Sequence, residues 1–195
     1  MGQALGAQVE YRHRSDKRLE AIYSYRDENR KLVKQVLRYP GKRFSQRRPA
    51  DHGGWIPDIS GVKPILYNLP LVRKASMVCI CEGEKDCDNF MSLELHPMQG
   101  GSIAPTTSGG ADSWVDELAD ELRGKLVVLM PDDDEPGKRF AEKVAASLDL
   151  RGIEYRTVTF GEEGAKDLSE FLEKEYDEGH FIDRVGADWL SLGLE

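Results

Sequence analysis

Two short apolar segments, Met77-Val78-Cys79-Ile80-Cys81 and Leu126-Val127-Val128-Leu129-Met130, each run straight into a block of carboxylates. The first meets Glu82-Gly83-Glu84-Lys85-Asp86. The second meets Asp132-Asp133-Asp134-Glu135-Pro136-Gly137. Unbroken apolar runs of this length, bounded by turn residues, read as strands covered on both faces. Helical spacing follows each: over 85–95, with Phe90, Leu93 and Met91 turned inward, and over 137–150, with Phe140, Ala141, Val144, Ala145 and Leu148 on one face. Further strands are expected at 102–105 and 154–160. Helices are expected through Trp114, Leu118 and Leu122, and over 167–176. Strands alternating with helices predict an α/β fold, a parallel sheet with helices on both faces. In such sheets ligands bind beyond the carboxyl ends of the strands. Both acidic blocks fall there, with Gly83 read as a sharp turn and Pro136 as a first-turn residue of the next helix.

The chain before residue 76 has a different texture. Residues 1–18 show no apolar period and carry Arg12, Arg14, Lys17 and Arg18, which reads as a flexible lead. Residues 19–75 read as a small antiparallel β-rich subdomain. Ala21-Ile22-Tyr23-Ser24-Tyr25 is one strand, 32–39 a second and 42–48 a third, joined by turns at 27–30 and 40–41. A short helix ends this part between 64 and 74. The α/β part is expected to span 76–176, and 177–195, with Phe181, Ile182, Trp189 and Leu190, to form a docking helix and tail. Charge divides along the same line. Residues 1–75 hold 16 Lys/Arg against 7 Asp/Glu, and residues 76–195 hold 11 against 28, for a net charge of −8.

Composition excludes several classes. No apolar run approaches the length of a membrane span, and residues 1–10 lack the basic start and apolar centre of a signal peptide, so a soluble cytoplasmic protein is expected. Cys79, Cys81 and Cys87 are read as reduced thiols packed as small apolar groups. They form no C-x-x-C pair, and His13, His52, His96 and His180 are scattered, so no zinc site is expected.

A helix cap accounts for one carboxylate at the second strand end, not for four in a row beside another acidic strand end. Two carboxylates about 4 Å apart repel by roughly 4 kcal/mol at an effective dielectric near 20. Either one takes up a proton or a cation sits between them. With oxygen ligands only, Mg²⁺ or Mn²⁺ is the expected cation.

Val78-Cys79-Ile80-Cys81-Glu82-Gly83-Glu84-Lys85-Asp86 and Val128-Leu129-Met130-Pro131-Asp132-Asp133-Asp134-Glu135-Pro136-Gly137 resemble the two motifs of the Toprim family, an apolar strand ending in Glu-Gly and another ending in Asp-x-Asp. The resemblance covers roughly 76–175 and implies a Rossmann-like parallel sheet with a catalytic metal centre. It implies that Glu82 is a metal ligand or proton-transfer group, that Asp132 and Asp134 are metal ligands, and that Asp133 is the variable middle residue. Asp86 matches a frequently acidic position. Lys166-Asp167-Leu168-Ser169 resembles a later Lys-Asp motif that would bring Asp167 to the rim, although Asp167 reads equally well as a helix cap.

The front segments Tyr25-Arg26-Asp27-Glu28-Asn29-Arg30, Lys42-Arg43-Phe44-Ser45-Gln46-Arg47-Arg48 and Ile65-Leu66-Tyr67-Asn68-Leu69-Pro70 resemble the primase part of phage and plasmid primase–helicases, with Arg30 where a glycine is usual. That resemblance implies a bacterial-type DNA primase catalytic core, a nucleotidyltransferase making RNA primers on single-stranded DNA from nucleoside triphosphates. Lys42, Arg43, Arg47, Arg48 and Lys85 are the expected nucleic-acid contacts, with Phe44 or Trp55 as a stacking platform. These residues contain neither a cysteine-rich template-reading module nor a G-x-x-x-x-G-K-[ST] loop. A separate zinc-binding module and a helicase are therefore the expected partners. A metal-dependent Toprim nuclease and a non-catalytic nucleic-acid-binding adaptor are the alternatives.

Overall fold

A computed structural model describes residues 18–93, 101–174 and 177–186. Two four-stranded sheets make up its β structure. β1 (Ala21–Arg26), β2 (Leu32–Tyr39), β3 (Arg43–Pro49) and β4 (Trp55–Ile56) form an antiparallel meander in chain order. The two-residue β4 follows the Gly53-Gly54 bend. α1 (Leu69–Val72) then leads to the parallel sheet.

That sheet has the order β6-β5-β7-β8, from β5 (Met77–Cys81), β6 (Ile103–Thr106), β7 (Leu126–Met130) and β8 (Tyr155–Thr157). All three of its pairings are parallel. All five residues of β5 are buried, and successive side chains enter different cores. Val78 and Ile80, with Val127 and Leu129 of β7, pack against α3 (Glu135–Asp149) and the segment before it. Met77, Cys79 and Cys81, with Val128 and Met130, pack against α2 (Glu84–Phe90), α4 (Leu168–Glu173), α5 (Glu178–Val185) and the inner face of the meander. Helices therefore cover both faces of the sheet, as the two apolar runs require. The three cysteines are buried and unpaired by disulfide.

Several elements depart from the sequence expectation. The helix through Trp114, Leu118 and Leu122 is two 3₁₀ segments, Ala111–Ser113 and Asp116–Leu122. Trp114 between them is extended, which sends its indole into the core, where its N–H reaches Ser147 Oγ at 3.1 Å. β8 covers only three of the seven residues expected. α2 ends at Phe90 and α4 at Glu173, and residues 94–95 and 175–176 of the expected helices lie outside the described residues. The docking helix exists as α5, with Phe181 fully buried. Trp189 and Leu190, like the lead at 1–17, lie outside the described residues. Arg30 takes the left-handed conformation that a glycine favours, φ 63°. Asp27 Oδ1 accepts from the Asn29 and Lys31 N–H groups at 2.9 Å each and holds that turn without glycine.

In the order β6-β5-β7-β8 the chain leaves β5 toward one edge and returns to its other side. The reversal lies between β5 and β7, and such reversals open the crevice of α/β sheets. Glu82 follows β5 and Asp132 closely follows β7, so the strand order itself brings the two acidic blocks together.

Candidate active site

Asp134 is the N-cap of α3, with Oδ1 accepting from the Gly137 N–H at 2.9 Å. Gly137 packs directly on the Asp132 backbone, and a Cβ there would collide with the Asp132 carbonyl. Asp133 faces away. Its N–H donates to the Lys166 carbonyl at 2.7 Å, and its carboxylate lies against Gly161. The alternation expected of adjacent side chains at a strand end is thus realised, with the middle aspartate outside the centre.

Glu82 receives a hydrogen bond from the Asp132 backbone, while its Oε2 is buried with no partner. Burial, and then Asp134, push its carboxyl above the ordinary value. Asp132 is pushed up to about 7, first by burial and then by Glu82, Asp86 and Asp167. Asp134 is held low by the Gly137 N–H and by Lys166. Lys166 Nζ stands 3.0 Å from Asp134 Oδ2 and 3.5 Å from Asp132 Oδ2.

The donor set suits a hard divalent cation: oxygen atoms only, one of them orphaned, and an aspartate that resists ionising unless a cation arrives. Among the described residues, however, no three Asp, Glu, His or Cys side chains converge into a ready cage. The ammonium of Lys166 lies between the two aspartates and pairs with both.

The two remaining expected ligands have other partners. Asp86 accepts from the Ser169 N–H at 3.2 Å and from the Ser169 hydroxyl, which ties α2 to α4. Asp167 caps α4 through the Glu170 N–H at 2.8 Å. Of the Lys-Asp pair it is Lys166 that reaches the carboxylates. The chain bends at Gly83, but its φ of −123° is extended and a Cβ would meet Asp86 Oδ2 at an ordinary 3.5 Å, so the bend does not require glycine.

A cleft of about 300 Å³ lies over the centre. One wall is acidic: Glu82, Glu84, Asp86 and Asp132. The other is the inner face of β2 and β3: Lys34, Val36, Phe44 and Gln46, with Gly109 and Gly110 also lining it. Lys34 is 8% exposed, its Nζ lies 3.3 Å from Gln46 Oε1 and 4.3 Å from the Tyr25 ring centre, and burial lowers its pKa. Tyr25 bonds to the buried Glu84. Gly109, at φ +94°, lies so close that a Cβ would come within 2.8 Å of the Tyr25 hydroxyl. No motif or spacing in the sequence marks Lys34, Tyr25 or Gly109 as part of this cleft.

The basic strand divides between two faces. Register pairs Gln35 with Arg47, Val36 with Gln46 and Arg38 with Phe44. Phe44, about half exposed, therefore shares the cleft face with Val36, while Arg43 and Arg47 lie on the outer face. Arg47 stacks on Trp55 at 3.8 Å and binds Gln35, and Arg48 pairs loosely with Asp58 at 3.7 Å. Lys42, in the turn before β3, lies near enough to Asp134 to help hold its carboxyl low. Lys85 pairs with Glu173 at 3.5 Å, away from the cleft lining.

Residues 79–172 match the family described as Toprim-like. No curated protein matches the sequence. Among solved structures, the primase fragment of the bacteriophage T7 primase-helicase protein is similar, with 20% identity and a TM-score of 0.63 over 85% of this chain and 62% of that one. The DnaG catalytic core is similar at 15% identity and a TM-score of 0.61, over 84% and 51% of the two chains. A bacteriophage T7 lagging-strand DNA polymerase structure, with primase domains of two gp4 subunits bound to an RNA/DNA hybrid and dTTP, gives 20% identity and 0.60, over 84% and 75%. The chain thus spans under two thirds of the T7 primase fragment and about half of the DnaG core. The shared property is the fold, a four-stranded parallel sheet with an antiparallel sheet in front. Among the described residues no helix is long and apolar enough to cross a membrane.

Proposed function

We propose that this chain, whose residues 79–172 form a Toprim-like domain, is the catalytic core of a primase-type nucleotidyltransferase that builds RNA primers on single-stranded DNA. The observation that carries the reading is the pairing of walls across one cleft: Glu82 and Asp132 at the strand ends face Lys34 and Phe44 of the antiparallel sheet. One wall suits metal-bound triphosphate, and the other offers a cation and an exposed ring to a phosphate and a base.

Glu82, Asp132 and Asp134 would hold Mg²⁺ or Mn²⁺. Such a cation neutralises the triphosphate and lowers the pKa of an attacking hydroxyl. Asp132, pushed up to about 7, and Glu82, raised by burial and by Asp134, are the carboxyl groups whose ionised forms a cation would stabilise most. Lys34 sits where burial strengthens its attraction for a phosphate oxygen. Lys42, on the Asp134 side, continues the positive edge toward the template. Asp86 and Asp167 hold α2 and α4 in place behind the ligands rather than serving as ligands. We assign residues 19–75 to the template-facing part, 76–176 to the metal-bearing part, and 177–195 to packing. A separate zinc-binding module and a helicase complete the proposed assembly.

The test is incubation of the purified chain with single-stranded DNA, labelled ribonucleoside triphosphates and Mg²⁺. Labelled oligonucleotides that disappear with Asp132→Asn are the expected result. Shortened template instead identifies a nuclease, and retention of DNA without either product identifies a binding adaptor.

A further inference from the structure

The Lys166 ammonium occupies the gap between Asp132 and Asp134, at 3.5 and 3.0 Å. Its backbone is held from two directions. The carbonyl accepts from the Asp133 N–H at 2.7 Å, and the N–H donates to Glu170 Oε2 at 2.8 Å. The next residue, Asp167, caps α4. The Cα is therefore tethered to the acidic loop, while the side chain, 42% exposed, has open space to swing through. Meanwhile Glu82 Oε2 remains buried and unpartnered. One monovalent charge pairs with two carboxylates and makes no ion pair with the third, which it reaches only at longer range.

We propose that Lys166 is an internal counter-cation of the acidic centre: it holds the place of the divalent ion in the metal-free protein, yields it when that ion binds, and then meets a phosphate of the incoming nucleotide. The proposal rests on the reading of the site as a primase metal centre. An ammonium and a divalent ion cannot both sit on the same oxygens of Asp132 and Asp134 without strong mutual repulsion. The divalent ion wins because it carries twice the charge and can also satisfy Glu82. Once displaced, the ammonium is still tethered within a side chain's length of the site. A triphosphate is the anion that arrives with the metal, and lysine binds phosphate as a point charge without demanding a fixed geometry. As an ion pair that only competes with the metal, by contrast, Lys166 would not touch nucleotide affinity once Mn²⁺ is saturating.

The two halves give opposite signs, which separates this role from a structural one. Mn²⁺ binding to the full chain without nucleotide is measured by calorimetry, followed by nucleoside triphosphate binding at saturating Mn²⁺. Lys166→Gln and Lys166→Met are compared with wild type and with Lys166→Arg. Removing the charge is expected to tighten Mn²⁺ binding about two- to fivefold, the scale of a partly exposed ion pair that no longer has to be broken. It is expected to weaken nucleotide binding by a similar factor or more, and Lys166→Arg should retain the wild-type Mn²⁺ affinity. Mn²⁺ binding by wild type that is unchanged or weaker in both neutral variants overturns this proposal alone. Unchanged nucleotide affinity in those variants also overturns it. Absence of Mn²⁺ binding in wild type and variants alike overturns both this proposal and the metal centre beneath it.

Discussion

The phenol of Tyr25 donates a 2.7 Å hydrogen bond to Glu84 Oε1, joining the first strand of the meander to the first turn of α2 across 59 positions of sequence. Both residues are buried, and Lys34 lies over the Tyr25 ring. Through this contact the wall that carries Lys34 is fixed against the wall that carries Glu82.

Tyr25→Phe leaves a buried carboxylate short of its donor. The expected loss is about 1–3 kcal/mol of unfolding free energy, the cost of an unsatisfied buried polar group. Urea denaturation of Tyr25→Phe beside Glu84→Gln measures it. A change below about 0.5 kcal/mol in Tyr25→Phe, the range of ordinary surface substitutions, would mean that the bond does not hold the two walls together.

The acidic centre is legible in the sequence because each half is local: an apolar strand, its end, and the carboxylates that follow. The strand order that joins the halves follows from parallel topology. The opposite wall is not legible in the same way. Lys34 reads as a solvated charge in an alternating strand, and only the register with β3 and the packing on Tyr25 turn it inward. The basic run at 42–48 contains its own correction, since period-2 alternation must send Arg43 and Arg47 to the face opposite Phe44. Lys166 stands out in the sequence as part of a motif, but the reach of its side chain into the aspartates depends on the loop held by the Asp133–Lys166 backbone bond. The α-helix expected through Trp114 does not form, and apolar spacing alone does not separate it from two 3₁₀ turns around an extended residue.

Stability in metal-free buffer should depend on pH through Asp132. Its carboxyl is pushed up to about 7 in the folded protein, against about 3.9 when exposed in the unfolded chain. The folded state then binds more protons across that window. The contribution is fully present below about pH 4 and is lost as pH rises toward 7. Glu82 and Asp86, also raised, act in the same direction, while Asp134, held low, acts in the opposite direction at more acid pH. Unfolding free energy from pH 5 to 7.5 in a chelator should fall less steeply in Asp132→Asn than in wild type. Identical slopes would remove Asp132 as a perturbed group.

Single-stranded DNA binding should distinguish the two faces of the meander. Lys42 lies on the side of the acidic centre, whereas Arg47 is stacked on Trp55 on the outer face. Each phosphate that the protein no longer neutralises flattens the slope of log affinity against log salt by about 0.7 for a single strand. Lys42→Ala is expected to flatten it by one such step and Arg47→Ala not at all. Filter binding over a salt series reads the difference. The reverse result would put the strand on the outer face, with Trp55 as its stacking platform.

Asp132, Asp133 and Asp134 are chemically identical neighbours, yet the fold gives each a different task. Asp132 and Asp134 share Lys166, while Asp133 turns toward Gly161. Asp132→Asn and Asp134→Asn are each expected to lose about a hundredfold or more in turnover, the scale seen when transition-state charge stabilisation is removed. Asp133→Asn should keep most activity. Stability should separate the two outer variants as well. Neutralising Asp132 relieves a carboxylate already pushed toward its protonated form, so its melting temperature in chelator should hold or rise. Neutralising Asp134 keeps the helix cap, because asparagine caps as well as aspartate, but gives up the ion pair with Lys166, so no gain is expected. Gly137→Ala provides the geometric control. Its Cβ would strike the Asp132 carbonyl and displace the loop with all three carboxylates intact, so activity and Mn²⁺ affinity should fall together. Turnover, melting temperature and Mn²⁺ binding for these four variants form one experiment. Equal harmlessness of the three asparagine variants would reduce the loop to a solvated cap, and loss confined to Asp133→Asn would place the metal on the Gly161 side of the strand.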